Sequence, residues 1–147
     1  MTDHSHSGSI PRWEHFSHVA DMGVRGLGHT LAQAFEQAAL AVTGIVCDVA
    51  RVHPETPVQI RVSAPDEELL LSEWLNALIY EMATRRMLFA RCQVRIEGTR
   101  LEATAWGEAV ARDRHRPAVE PKGATLTELK VYRSQEGTWI AQCVIDV

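Results

Sequence analysis

Lysine is nearly missing from this chain of 147 residues: Lys122 and Lys130 stand against 13 arginines. Arginine therefore serves most of the solvated surface, and each lysine asks for its own explanation. Cysteine is scarce too. Cys47, Cys92 and Cys143 make an odd count with no C-x-x-C pair, which argues against a disulfide framework or a zinc ribbon. Cys92 and Cys143 fall in strand-like stretches, where a thiol serves as a small buried hydrophobe. The pattern suits a reducing cytoplasm, the expected location. No apolar run approaches the roughly 20 residues of a membrane span. Excess positive charge is absent as well. A net charge of −4 argues against a chain that grips nucleic acid tightly by itself. The first residues are polar and rich in His and Ser, without the apolar segment of a secretory signal.

What remains is ordinary globular composition, 46% hydrophobic and 23% charged. The length fits one domain that buries roughly two thirds of its unfolded surface. Residues 1–12 are expected to be a disordered polar tail, with His4 and His6 solvated rather than chelating, and residues 13–147 a single domain.

Residues 13–20 read as a strand and 24–28 as a short second one, loosened by Gly23, Gly26 and Gly28. Thr30 with Gln33 three residues later has capping-box spacing. Leu31, Ala34, Phe35, Ala38, Ala39 and Val42 then make one helical face that fades at residues 44–47. Val58, Ile60 and Val62 alternate as in a strand with one buried face. Pro65 and Asp66 open a second helix whose acidic first turn suits its dipole. Its buried stripe is Leu71, Trp74, Leu75, Leu78 and Met82. Residues 88–97 and 100–112 predict a hairpin around Gly98-Thr99. Residues 111–123 predict an irregular loop. Residues 125–132 and 138–145 predict a second hairpin. The order implies an α+β fold of antiparallel sheets with two helices packed on one face.

Several familiar chemistries have no motif here: G-x-S-x-G, H-E-x-x-H and the Walker A loop are all lacking. Gly23-Val-Arg-Gly-Leu-Gly28 has the wrong spacing for a phosphate cradle. Two carboxylates draw notice by position. Asp21 closes the first strand and Asp146 follows the apolar run Cys143-Val144-Ile145, with the α-carboxylate of Val147 beside it. If these strands are neighbours, the groups converge and repel one another unless a cation or proton intervenes. An all-oxygen set suits Ca²⁺, Mg²⁺ or Mn²⁺. Strand-end aspartates also serve as turn formers, and spacing alone favours that reading. Asp113-Arg114-His115-Arg116-Pro117 is either an exposed Arg-rich loop or a mobile element beside the carboxylates, with His115 able to change charge near neutral pH. Lys122, at the far end of that loop, is either a surface lysine or a cation offsetting the acidic cluster.

These pieces occur together in one known pattern. His18-Val-Ala-Asp21-Met-Gly-Val, continuing to His29-Thr-Leu-Ala-Gln-Ala-Phe35, resembles the N-terminal signature of the archease family. Trp74-Leu-Asn-Ala-Leu-Ile-Tyr80, Arg114-His115-Arg116-Pro117 with Glu120-Pro-Lys122-Gly-Ala-Thr, and Val144-Ile-Asp146-Val147 follow in the family's order, over about residues 14–147. Val19, Pro121 and Gly123 depart from the residues usual there. The resemblance implies a compact cytoplasmic accessory protein rather than an enzyme. Its implied partner is an RtcB-type RNA ligase, which joins 2′,3′-cyclic phosphate and 5′-hydroxyl RNA ends through a GMP adduct and uses Mn²⁺. The accessory protein promotes guanylylation and multiple turnover in tRNA splicing or RNA repair. The resemblance also implies a divalent cation, Ca²⁺ first, on Asp21, Asp146 and Val147, and contacts to the partner from Lys122, His115 and His18. The alternative expectation is a metal-dependent phosphohydrolase acting on nucleotides or cyclic-phosphate RNA ends, with His115 as general acid or base.

Overall fold

The computed structural model describes residues 9–147. Residues 1–8 of the expected tail, His4 and His6 with them, lie outside the described residues. The first strand, β1 (Arg12–His18), starts one residue before the expected boundary and ends two residues short of it, so Asp21 opens the second strand rather than closing the first. A two-residue turn leads to β2 (Asp21–Gly28), followed by α1 (Leu31–Val46). A 3-10 turn, Val49–Arg51, precedes β3 (Thr56–Ser63) and α2 (Glu67–Arg85). Next come β4 (Met87–Glu97), β5 (Arg100–Ala109), the short helix α3 (Arg112–His115), β6 (Gly123–Ala124), β7 (Lys130–Arg133) and β8 (Trp139–Asp146).

The helix starts follow their capping residues. Thr30 accepts the Gln33 N–H at 3.1 Å, and the Gln33 side chain returns to the His29 N–H at 2.8 Å. Asp66 accepts the Leu69 N–H at 2.8 Å, with Glu67 and Glu68 in the positive first turn. The expected stripe of α2 is buried throughout, and Leu70 and Ile79 widen it. Trp74 is completely buried, and its indole N–H donates to Phe35 O of α1 at 3.0 Å, which satisfies the ring's polar atom where water is excluded.

Two antiparallel sheets result. One runs β1-β2-β8-β6, with β7 also on β8; the other is β3-β5-β4. Rather than lying on one sheet, each helix packs against both: α1 against β1, β2, β8 and β4, and α2 against β3, β4, β5, β6, β7 and β8. Close approach of α1 to β2 requires Gly26, because a Cβ there would run into the backbone of Ala34 and Ala38.

The expected second hairpin is shorter than predicted. Only β7 and β8 form it; residues 125–129 are not strand, although Thr125 and Thr127 keep backbone bonds to Val144, and β6 pairs with the far end of β8. The expected irregular loop contains α3. Cys143 is buried and Cys92 half-buried; burial, helped for Cys92 by Glu36, pushes both thiols up to about 12, so neither is a thiolate at neutral pH. Among the described residues no helix is long and apolar enough to cross a membrane.

Candidate functional site

Strand alternation decides where the end-of-strand carboxylates go. Even-numbered residues of β2 face α1, as Gly26 shows, and Val24 is buried in the core. Asp21, Gly23, Arg25 and Leu27 therefore share the other face. β2 and β8 are antiparallel neighbours, paired Met22 with Ile145. One step further along the same register Asp21 and Asp146 stand opposite each other, on the face turned away from α1. On the far side of β2, His18 pairs with Asp21; on the far side of β8, Gly123 pairs with Asp146. His18, Asp21, Asp146 and Gly123 thus form one row across four strands. Directly opposed residues have Cβ atoms about 4.5–5.5 Å apart, and like charges so placed repel.

Asp146 is exposed and Asp21 half-buried. Among the described residues neither carboxylate has a hydrogen-bonding or ion-pairing side chain. Val147 packs its side chain against the core, which holds the backbone beside Asp146 in place. Lys122 reaches the row through its backbone: its N–H donates to Asp146 O at 2.7 Å. Its side chain is exposed and has no carboxylate within 4.0 Å among the described residues, so its ammonium does not screen the aspartates here. The two aspartates supply hard oxygen donors of the kind that suits a hard divalent cation.

The turn that delivers Asp21 is strained. Val19 has φ +47° and is fully exposed. A β-branched residue in the left-handed region is an outlier of the kind that collects at functional sites.

His115 takes a different place from the one expected for a mobile partner of the carboxylates. Its side chain is 0% exposed. Nδ1 accepts the Ala111 N–H at 2.8 Å, which leaves the proton on Nε2, and Nε2 lies 2.9 Å from Glu108 Oε2. Both ring nitrogens are committed. To act as the acid–base group of a hydrolase, His115 would have to leave both partners.

Sequence reasoning missed the group around Glu108. Pairing of Thr56 with Gly107 brings the start of β3 to the end of β5. His53, Glu55 and Glu108 then present ligand atoms within 4.8 Å of one another, an arrangement that can hold a metal ion. The only sequence signal is His53-x-Glu55, which is too common to select. Glu108 already receives three donors: Arg114 Nη2 at 2.6 Å on Oε1, and the His53 N–H at 2.8 Å and His115 Nε2 on Oε2. Burial opposes its ionisation, but the bonds from His53, His115 and Arg114 win and hold its carboxyl down to about 2. A metal on this trio would displace the Arg114 guanidinium.

The whole of this architecture has relatives. Residues 13–147 match the model of the Archease protein family (MTH1598/TM1083). Protein archease of Thermococcus gammatolerans is 38% identical over 140 residues, covering 92% of this chain and 99% of the relative. Protein archease of Pyrococcus furiosus is 35% identical over 140 residues, with the same coverage. Among solved structures, that of Methanobacterium thermoautotrophicum protein 1598 superposes with a TM-score of 0.77 at 24% identity, covering 94% of this chain and 100% of that one. A Thermotoga maritima crystal structure, described as an archease and possible chaperone, reaches a TM-score of 0.55 at 16% identity, covering 97% and 99%. These two likenesses concern the fold. On the family match over nearly its full length and the identity to these relatives, the chain belongs to the archease family.

Proposed function

We propose that this chain is an accessory activator of an RtcB-type RNA ligase, acting through a cation-holding tip made of Asp21, Asp146 and the α-carboxylate of Val147. The observation that carries the reading is the register that makes Asp21 and Asp146 cross-strand neighbours on one exposed sheet end. Opposed carboxylates repel unless a cation or proton lies between them, and neither aspartate spends its charge on another side chain. A divalent ion, Ca²⁺ first and Mn²⁺ or Mg²⁺ as substitutes, resolves that repulsion with oxygen ligands alone. His18 in the same row and Lys122 beside Asp146 flank the tip as contacts to the partner. The tip acts by binding the ligase conformation that accepts guanylylation better than the other one, which is the only way a bound protein shifts such an equilibrium.

The test is a ligation assay with the cognate ligase limiting and RNA in excess. The wild-type chain is expected to convert a single round into many. Asp21→Ala and Asp146→Ala are expected to abolish that gain while circular dichroism shows an unchanged fold. Calorimetric titration with Ca²⁺ and Mn²⁺ should show one site in the wild type and none in either variant. Full activation by Asp21→Ala sinks the reading. Turnover of nucleotides or cyclic-phosphate RNA by the pure chain without ligase replaces it with the phosphohydrolase.

A further inference from the structure

The segment after β5 is pinned to the helix ends at separate points. The Val110 N–H donates to Arg86 O at 2.9 Å, and the Ala118 N–H donates to Val46 O at 2.8 Å. Between and beside these pins a cavity of about 580 Å³ opens. Apolar side chains on its walls include Met82 of α2, Met87 of β4 and Val119 and Pro121 of the segment, and polar surface shares the lining about equally with them. Val110 and Val119 remain 38% and 42% exposed. The volume lies in the range of small-ligand sites, which combine apolar walls with a few placed polar groups.

The charged groups set the chemistry. Arg86, Arg112 and Glu120 line the cavity, two guanidinium groups to one carboxylate on a chain of net charge −4. Neighbouring arginines are spoken for: Arg85 pairs with Glu81 and Arg114 with Glu108. Among the described residues Arg86 and Arg112 have no carboxylate within 4.0 Å. The Arg86 backbone is held in place. It caps α2 in the left-handed conformation, with its N–H on Met82 O and its carbonyl on Val110. The site therefore combines apolar side chains with a net cationic set of charged ones.

We infer that this cavity binds a small amphiphilic anion, its apolar body against Met82, Met87 and Val119 and its carboxylate-like head on Arg86 and Arg112. The inference is independent of the ligase reading, since none of these residues belongs to the tip.

The probes are anilinonaphthalene sulfonate, its uncharged counterpart phenylnaphthylamine, and decanoate, titrated against the full chain. Fluorescence and backbone amide shifts are followed together. Saturable one-site binding of the sulfonate is expected, with the largest shifts at Ala83, Val110 and Val119. Decanoate should displace it. The neutral counterpart, and the double variant Arg86→Gln with Arg112→Gln, should each bind at least about tenfold more weakly, as the loss of a charge-assisted hydrogen bond requires. Ala83→Trp, placed on an exposed helix position lining the cavity, should block binding while Tm stays within a few degrees, which separates a filled site from a lost fold. Non-saturable binding, shifts centred elsewhere, or undiminished affinity for the neutral counterpart or in the double variant overturns the inference.

Discussion

Two carboxylate centres in this molecule are built on opposite rules. Glu108 is 10% exposed and takes donors from a backbone N–H, an imidazole and a guanidinium. Asp21 and Asp146 lie one step beyond the Met22–Ile145 pair, at an open sheet end, with no partnering side chain. The first centre holds three segments together: the connection before β3, the end of β5, and α3. The second holds nothing together, and Val19 beside it sits in a strained turn. Charge that is fully compensated by the protein is structural. Charge left uncompensated at a strained edge is available to something outside the chain.

The contrast can be broken most directly at Glu108. Glu108→Ala leaves the His53 N–H and His115 Nε2 without their acceptor, at a cost of about 2–3 kcal/mol by urea denaturation. Arg114 is 43% exposed and adds little to that figure. The pH dependence carries a sign as well. The folded carboxyl is held at about 2, below its ordinary value of 4.5. Its stabilisation is therefore complete above pH 4.5 and is lost as pH falls toward 2. Denaturation curves from pH 6 to pH 2 should converge for wild type and Glu108→Gln at the acid end. Parallel curves would show that Glu108 is not held in its charged form.

A smaller loss is expected at His115. His115→Phe keeps the ring's volume but leaves the Ala111 N–H unpaired, at about 1–2 kcal/mol, measured the same way. Val19→Asn goes in the other direction. Asn tolerates the left-handed region better than a β-branched residue, so the variant should gain about 1 kcal/mol. The smallest effect is the most telling. Asp21→Ala and Asp146→Ala should change stability by less than about 0.5 kcal/mol, since no side chain depends on either. A loss comparable to that of Glu108→Ala would erase the distinction between the two centres.

Legibility in the sequence followed the physics of each element. α1 could be read because Thr30 and Gln33 announce its start and its apolar face repeats over several turns. α2 was as clear, down to the buried Trp74. β6 was invisible, because two residues carry no periodicity and its partner lies more than twenty positions away. α3 was missed for a related reason: Arg112–His115 carries no apolar periodicity, and its turn is braced by the His115 side chain accepting the Ala111 N–H. The same blindness applied to the sites. Asp146 stood out because it ends a recognisable strand, and Asp21 because it was read as ending one, although it opens β2. Glu108 did not, because its importance comes from His53 and Arg114, which reach it through β3–β5 pairing and the fold of α3.

The last strand in the chain's order is also a central one in space. β8 sits between β2 on one side and β6 and β7 on the other. Until β8 is made and threaded into that slot, β2 keeps one row of backbone amides and carbonyls bare, next to the apolar surface around Val24. A half-made chain therefore carries an adhesive rim that a finished one lacks. Long-range closures of this sort are slow to find. The time between synthesis of β7 and insertion of β8 is when this molecule is most prone to stick to its neighbours.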